Sequence, residues 1–152
     1  MTERTVTHAT FSIERSYDAA PARVFRAFED PVAKRRWFAE GEGWSVEQFD
    51  VDFKIGGYER SRFRFKDGPP IRNDTIYQDI VPDQRIIIAY SMTIGEDRIS
   101  ASLATIEFKP AGSGTRLVFT EQGAFLDGHD KVDQREAGTR ELLEALGKEL
   151  KR

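Results

Sequence analysis

The sequence predicts an α+β fold: a curled antiparallel sheet of six to seven strands wrapped around one long C-terminal helix, with two short helices after the first strand. Three observations carry this. The elements run strand, two helices, a series of strands, then a helix, and strands grouped before a helix build α+β rather than alternating parallel units. The strand junctions are short and rich in Gly, Pro and Asp, at Ile55-Gly-Gly-Tyr58, Asp67-Gly-Pro-Pro70, Pro82-Asp83, Gly95-Glu-Asp97 and Pro110-Ala-Gly-Ser-Gly114, as hairpins require. The length of 152 residues fits one domain over 1–152, and a six- or seven-stranded sheet of that size curls into a concave face that one helix can cover.

Each element has a local reason. Val6 to Tyr17 alternates, with Phe11 and Ile13 against Thr10, Ser12 and Glu14, the period of a half-buried strand. Asp18-Ala-Ala-Pro21 stops it and opens a helix, because proline is tolerated in a first helical turn. Val24, Phe25 and Phe28 form that helix's apolar stripe to about Glu29. Asp30-Pro31 begins a second short helix through Arg36, followed by the aromatic pair Trp37-Phe38. Trp44 to Phe53 is a strand with Val46, Phe49, Val51 and Phe53. Tyr58 to Phe65 places Arg60, Arg62 and Arg64 on one face and Ser61, Phe63 and Phe65 on the other. Ile71 to Val81, Arg85 to Met92, Ser100 to Lys109 and Thr115 to Gln122 complete the strands, and Gly123 to Val132 reads as a loop. From about Asp133 to Leu150 the spacing is helical: Thr139, Leu142, Leu143, Leu146 and Leu150 share a stripe that turns polar and small toward Arg135. A long helix that is apolar at its end and polar at its start suits a cover over a cavity, the natural place for a ligand.

Composition removes several function classes. With no cysteine, the chain has no disulfide scaffold and no thiolate metal site or nucleophile. Only His8 and His129 are available, so a histidine metal site is not expected, and no cofactor is expected either. The Asp127, Asp130, Asp133 spacing does not make a calcium loop, since Gly138 stands where such a loop needs Glu. The formal net charge of -3, with both signs interspersed, argues against a nucleic-acid partner. No apolar run approaches the ~18 residues of a membrane span. The polar first residues do not read as a signal peptide, so a cytoplasmic location is expected. Gly56-Gly57 and Gly112-Ser-Gly114 do not open helices after strands and are not phosphate loops.

The order and motifs resemble the START-like superfamily (SRPBCC, helix-grip fold), and within it the bacterial branch of activator of heat-shock-protein ATPase homologues. The matching residues are Arg15-Ser-Tyr-Asp-Ala-Ala-Pro-Ala-Arg-Val24-Phe25, Asp30-Pro31 with Trp37-Phe38, Asp52-Phe-Lys-Ile-Gly-Gly57, Asp79-Ile-Val-Pro-Asp-Gln-Arg85-Ile86 and Gly114-Thr115. The branch often carries Gly-Trp early in the final helix, where this chain reads Glu136-Ala-Gly-Thr139. The resemblance implies a ligand cavity; members bind lipids, hormones and polyketides, some are cyclases or hydratases, and eukaryotic relatives regulate a chaperone ATPase. Fold alone does not choose among these.

The site candidates follow from both readings. One of Glu121 and Gln122 must face inward, because strand side chains alternate. Arg135 starts the covering helix and can pair with an inward Glu121. The family geometry makes Trp37, Tyr77 and Tyr90 pocket walls, with Thr139 beside them. The first expectation is a binding protein for a small hydrophobic or amphipathic molecule. The alternatives are a cyclase, hydratase or hydrolase using Glu121 as acid or base, and a chaperone-regulating interaction module; a homodimer is compatible with any of them. Arg60, Arg62 and Arg64 read as a solvated convex face or a patch for an anionic partner.

Overall fold

The computed structural model describes residues 3–152. Seven strands, β1 (Val6–Tyr17), β2 (Trp44–Val51), β3 (Tyr58–Phe65), β4 (Ile71–Val81), β5 (Arg85–Ile94), β6 (Asp97–Ala111) and β7 (Gly114–Leu126), form one antiparallel sheet in the order β1-β7-β6-β5-β4-β3-β2. The helices are α1 (Pro21–Glu29), α2 (Pro31–Phe38) and α3 (Val132–Glu149). From β2 to β7 every neighbour is the next hairpin partner. Only β1 breaks this succession, lying beside β7 at the far edge. The sheet curls, and the helices lie in its concavity, giving the α+β helix-grip arrangement.

Local chemistry explains the helices. Pro21 takes the first position of α1, whose buried face is Val24, Phe25, Ala27 and Phe28. The Asp30 carboxylate accepts a 3.0 Å bond from the Val32 N–H and caps α2. The Trp37 indole N–H donates to the Ala27 carbonyl at 2.9 Å, which locks α2 against α1. The Tyr17 hydroxyl donates to the Leu143 carbonyl at 2.7 Å and ties β1 to α3. Between sheet and helices lies an aromatic core in which Phe108 packs edge-on against both Phe25 and Phe28.

Element boundaries and one side-chain placement differ from the sequence reading. β7 continues to Leu126 instead of ending at Gln122, because Gly123 to Leu126 pair with Ala9 to Val6. A glycine in that stretch looks like a loop until the partner strand from the other end of the chain is placed beside it. α2 runs on to Phe38 and takes the aromatic pair into its last turn. Phe65, expected inside, is 43% exposed, because β3 reaches the rim of the sheet there and Phe65 packs on the Trp44 ring at 5.0 Å.

Candidate functional site

The inward faces of the strands form the floor of the concavity, and the register orders them into rows. One row runs Tyr77, Ile88, Ala104, Glu121, Phe11 across β4, β5, β6, β7 and β1. The next runs Glu59, Thr75, Tyr90, Ser102, Gly123 across β3 to β7. Two charged clusters stand on these rows, one toward each side of the floor.

The first cluster gathers four sequence candidates. Glu121 is fully buried, and both its carboxylate oxygens accept from the Tyr90 hydroxyl, at 2.9 and 2.8 Å. Arg135, in the first turn of α3, donates to the same carboxylate at 3.1 Å, to the Tyr90 oxygen at 2.9 Å and to Ser100 Oγ at 2.7 Å. It also pairs with Asp130 at 2.9 Å. Thr139 sits one helical turn on, and its hydroxyl bonds the Arg135 carbonyl at 3.0 Å. Burial pushes the Tyr90 hydroxyl above the usual phenol range, the Glu121 charge adds to this, and the Arg135 charge opposes it. Tyr90 therefore stays a protonated donor. Desolvation works against the Arg135 charge, but Tyr90, Glu121 and Asp130 outweigh it and hold the guanidinium above its ordinary value.

The second cluster was only partly foreseen. Lys34 of α2 donates to both Glu59 oxygens, at 3.0 and 3.2 Å, and the Tyr77 hydroxyl donates to Glu59 at 3.0 Å. The ammonium also lies 4.5 Å from the Phe38 ring centre and 5.3 Å from that of Trp37. Burial, then the Glu59 charge, raises the Tyr77 hydroxyl as well. Each cluster thus joins a helix cation, an inward strand carboxylate and a tyrosine. A small, partly open cavity of about 20 Å³ lies beside the second, lined by Lys34, Glu59, Thr75, Tyr77, Ile86 and Ile88 together with Phe28, Phe53 and Ile106. That volume holds about one water molecule.

The candidates divide accordingly. Tyr90, Glu121, Arg135 and Thr139 come together beneath α3, while Tyr77 belongs to the Lys34–Glu59 cluster. Trp37 is 6% exposed, spends its N–H on Ala27 and lines a surface pocket between α2 and the end of α3 with Arg36, Ala145 and Glu149. Gln122 faces solvent on the opposite side of the sheet. Under the start of α3 stands the Arg135 guanidinium with its partners, and the small cavity lies beside α1 and α2. Lys34, Glu59, Ser100 and Asp130 were missed. Glu59 was legible, since it extends the inward alternation of Ser61 and Phe63 by one step, and Lys34 precedes Trp37 and Phe38 by three and four residues on one helix face. Among the described residues no group of three His, Cys, Asp or Glu side chains is placed to hold a metal, and no helix is long and apolar enough to cross a membrane.

A curled seven-stranded sheet gripping a C-terminal helix over a partly polar floor defines the START-like (SRPBCC) class. The sequence model of the family described as Activator of Hsp90 ATPase homolog 1-like protein matches residues 18–151, and the chain belongs to this family. It is similar to the Mll3558 protein of Rhizobium loti, at 54% identity over 95% of this chain and 99% of that one, with a TM-score of 0.89. An uncharacterized protein of Rhizobium leguminosarum is 47% identical over 99% of both chains, with a TM-score of 0.95. DynU16, a protein of the dynemicin biosynthetic locus, is 19% identical over 93% of this chain and 47% of that one; at a TM-score of 0.69 it shares the fold. Comparison with curated proteins gave no match.

Proposed function

We propose that the protein binds a small amphipathic molecule on the floor between the two charged clusters. The observation that carries this is their placement: two buried cation–carboxylate–tyrosine groups on adjacent rows, with Thr75, Ile88 and Ala104 between them and the small cavity at one side. A core built only for stability has little use for two buried ion pairs, which contribute weakly to folding. Two further hydroxyls on the concave face, Ser61 Oγ and Ser102 Oγ, are buried without a partner among the described residues. Such groups are rare, and they supply unused hydrogen-bonding capacity for a polar substituent. The aliphatic side chains of Ile86, Ile88 and Ile106 suit the ligand's apolar part. A cavity of about 20 Å³ requires that the body of the ligand be admitted by movement of α2 or the start of α3.

Acid–base catalysis at Glu121 is the weaker reading, because its oxygens are already engaged by Tyr90 and Arg135. A chaperone partner is suggested by the family description alone.

The test is a titration with dodecanoate and with 2-naphthol, followed by NMR of isotope-labelled isoleucine methyl groups. Ile86, Ile88 and Ile106 are expected to shift saturably, and Lys34→Met or Arg135→Met to weaken at least one probe tenfold or more. Unmoved signals from these three isoleucines up to probe solubility, or shifts confined to outward Ile76 and Ile87, would refute the proposal.

A further inference from the structure

The convex face of the sheet carries a second pattern, independent of the floor. All three helices lie on the concave side, so among the described residues no element covers the outward side chains of β3 to β6. The register aligns Tyr58, Ile76, Ala89 and Leu103 in one row across these four strands. Ile76 and Leu103 are 43% and 39% exposed, so the row is an apolar stripe open to solvent. Its length is three interstrand steps, about 14 Å.

Arginines flank the stripe on one side. Arg60 stands two residues along β3 from Tyr58 and stacks on its ring at 4.2 Å. Two residues further, Arg62 and Arg72 are direct cross-strand partners, and the same row continues through Thr93 to Arg98. Like charges directly opposite one another destabilise a sheet. Arg62 and Arg64 share the single carboxylate of Glu47, while among the described residues Arg60, Arg72 and Arg98 make no ion pair. Asp50 and Asp74 face Arg60 across the ladder and Asp97 precedes Arg98 in β6, so these five arginines outnumber the carboxylates beside them on a chain whose net charge is -3. An arginine row beside an exposed aliphatic and aromatic stripe has the composition of a recognition surface rather than of ordinary solvated sheet.

We infer that this convex face docks an acidic, amphipathic protein segment, its apolar side on the Tyr58–Leu103 stripe and its carboxylates on Arg60, Arg72 and Arg98. Charge complementarity selects the occupant. The cationic row spans only four strands and is bordered by Asp50 and Asp74, too short a track for a phosphate polyanion. A helix of about ten residues covers 14 Å, matching the stripe. Small residues at Ala89, Ser91 and Ala101 let such a helix approach the sheet closely.

The test uses a fluorescein-labelled synthetic 18-residue peptide with leucine at positions i, i+3, i+4 and i+7 of each repeat and glutamate elsewhere, titrated with the full chain. Saturable anisotropy is expected at 50 mM NaCl, weakening about tenfold or more at 300 mM as exposed charges are screened. Arg72→Glu with Arg98→Glu is expected to reduce affinity tenfold or more. The Arg72→Gln, Arg98→Gln pair replaces it if the charge reversals unfold, as judged by circular dichroism. Methyl NMR is expected to place the contact at Ile76 and Leu103, leaving Ile86 and Ile106 unmoved. No binding, equal binding by the variants, equal binding of a lysine-for-glutamate peptide, or shifts on the concave face would overturn the inference. So would tighter binding to anionic phosphatidylglycerol vesicles or to a 20-nucleotide RNA, or self-association through Leu103 seen by sedimentation.

Discussion

Replacing Arg135 with methionine tests the first cluster most directly. The substitution keeps the aliphatic stem and removes the guanidinium from beneath the first turn of α3. Glu121 is fully buried, so its charge is then held by the Tyr90 hydroxyl alone, while Ser100 Oγ and Asp130 lose their Arg135 partner. Leaving one member of a buried pair uncompensated costs about 3–5 kcal/mol. For a domain of this size that lowers Tm by roughly 6–20 °C. Glu121→Gln in the Arg135→Met background removes the orphaned charge and retains an acceptor for Tyr90. The double variant is therefore expected to be more stable than Arg135→Met alone, with a coupling of about 1–3 kcal/mol in the cycle. Urea unfolding followed by circular dichroism measures all four corners. If Arg135→Met costs less than 1 kcal/mol, or if the two substitutions simply add, the cluster is not the tightly coupled unit its geometry describes.

Other consequences are equally checkable. Gln122→Ala, on the outward face beside Glu121, is expected to change stability by no more than about 0.5 kcal/mol in the same urea assay, since it removes no buried contact. Gly123→Ala is expected to cost about 1–3 kcal/mol, because a Cβ there meets the Phe125 ring at 2.8 Å and Ser102 Oγ at 3.1 Å; thermal unfolding reads it. The Arg36 side chain's hydrogen bond holds the Glu149 carboxyl below its ordinary value, burial opposing and the Arg36 charge assisting. A depressed folded-state value stabilises above the unfolded carboxyl's pKa of about 4.3 and is lost as pH falls through the lower folded value. Unfolding midpoints measured downward from pH 6 are therefore expected to fall less steeply for Glu149→Gln than for the parent chain.

The alternation of Phe11 and Ile13, the proline-opened helices and the glycine-rich turns are local features, and they dictated the element order because each depends on residues a few positions apart. The same logic placed one of Glu121 and Gln122 inward, and it contained Glu59, had the inward alternation of β3 been followed one residue further back. The choice of Glu121 was settled by pairing: β7 lies between β1 and β6, and its register with Phe11 and Ala104 turns that carboxylate toward Arg135. The union of Lys34 with Glu59 and Tyr77 likewise joins residues 18 and 25 positions apart in sequence, which no local spacing encodes. The extension of β7 beyond Gln122 waited on the first strand, from the opposite end of the chain, to supply its partner. Periodicity reports which face a residue occupies within its own element. Which faces meet depends on how the sheet curls and how tightly side chains fill the space beneath the helices, and there an Arg135 guanidinium occupies the room that the polar start of α3 had suggested for a ligand.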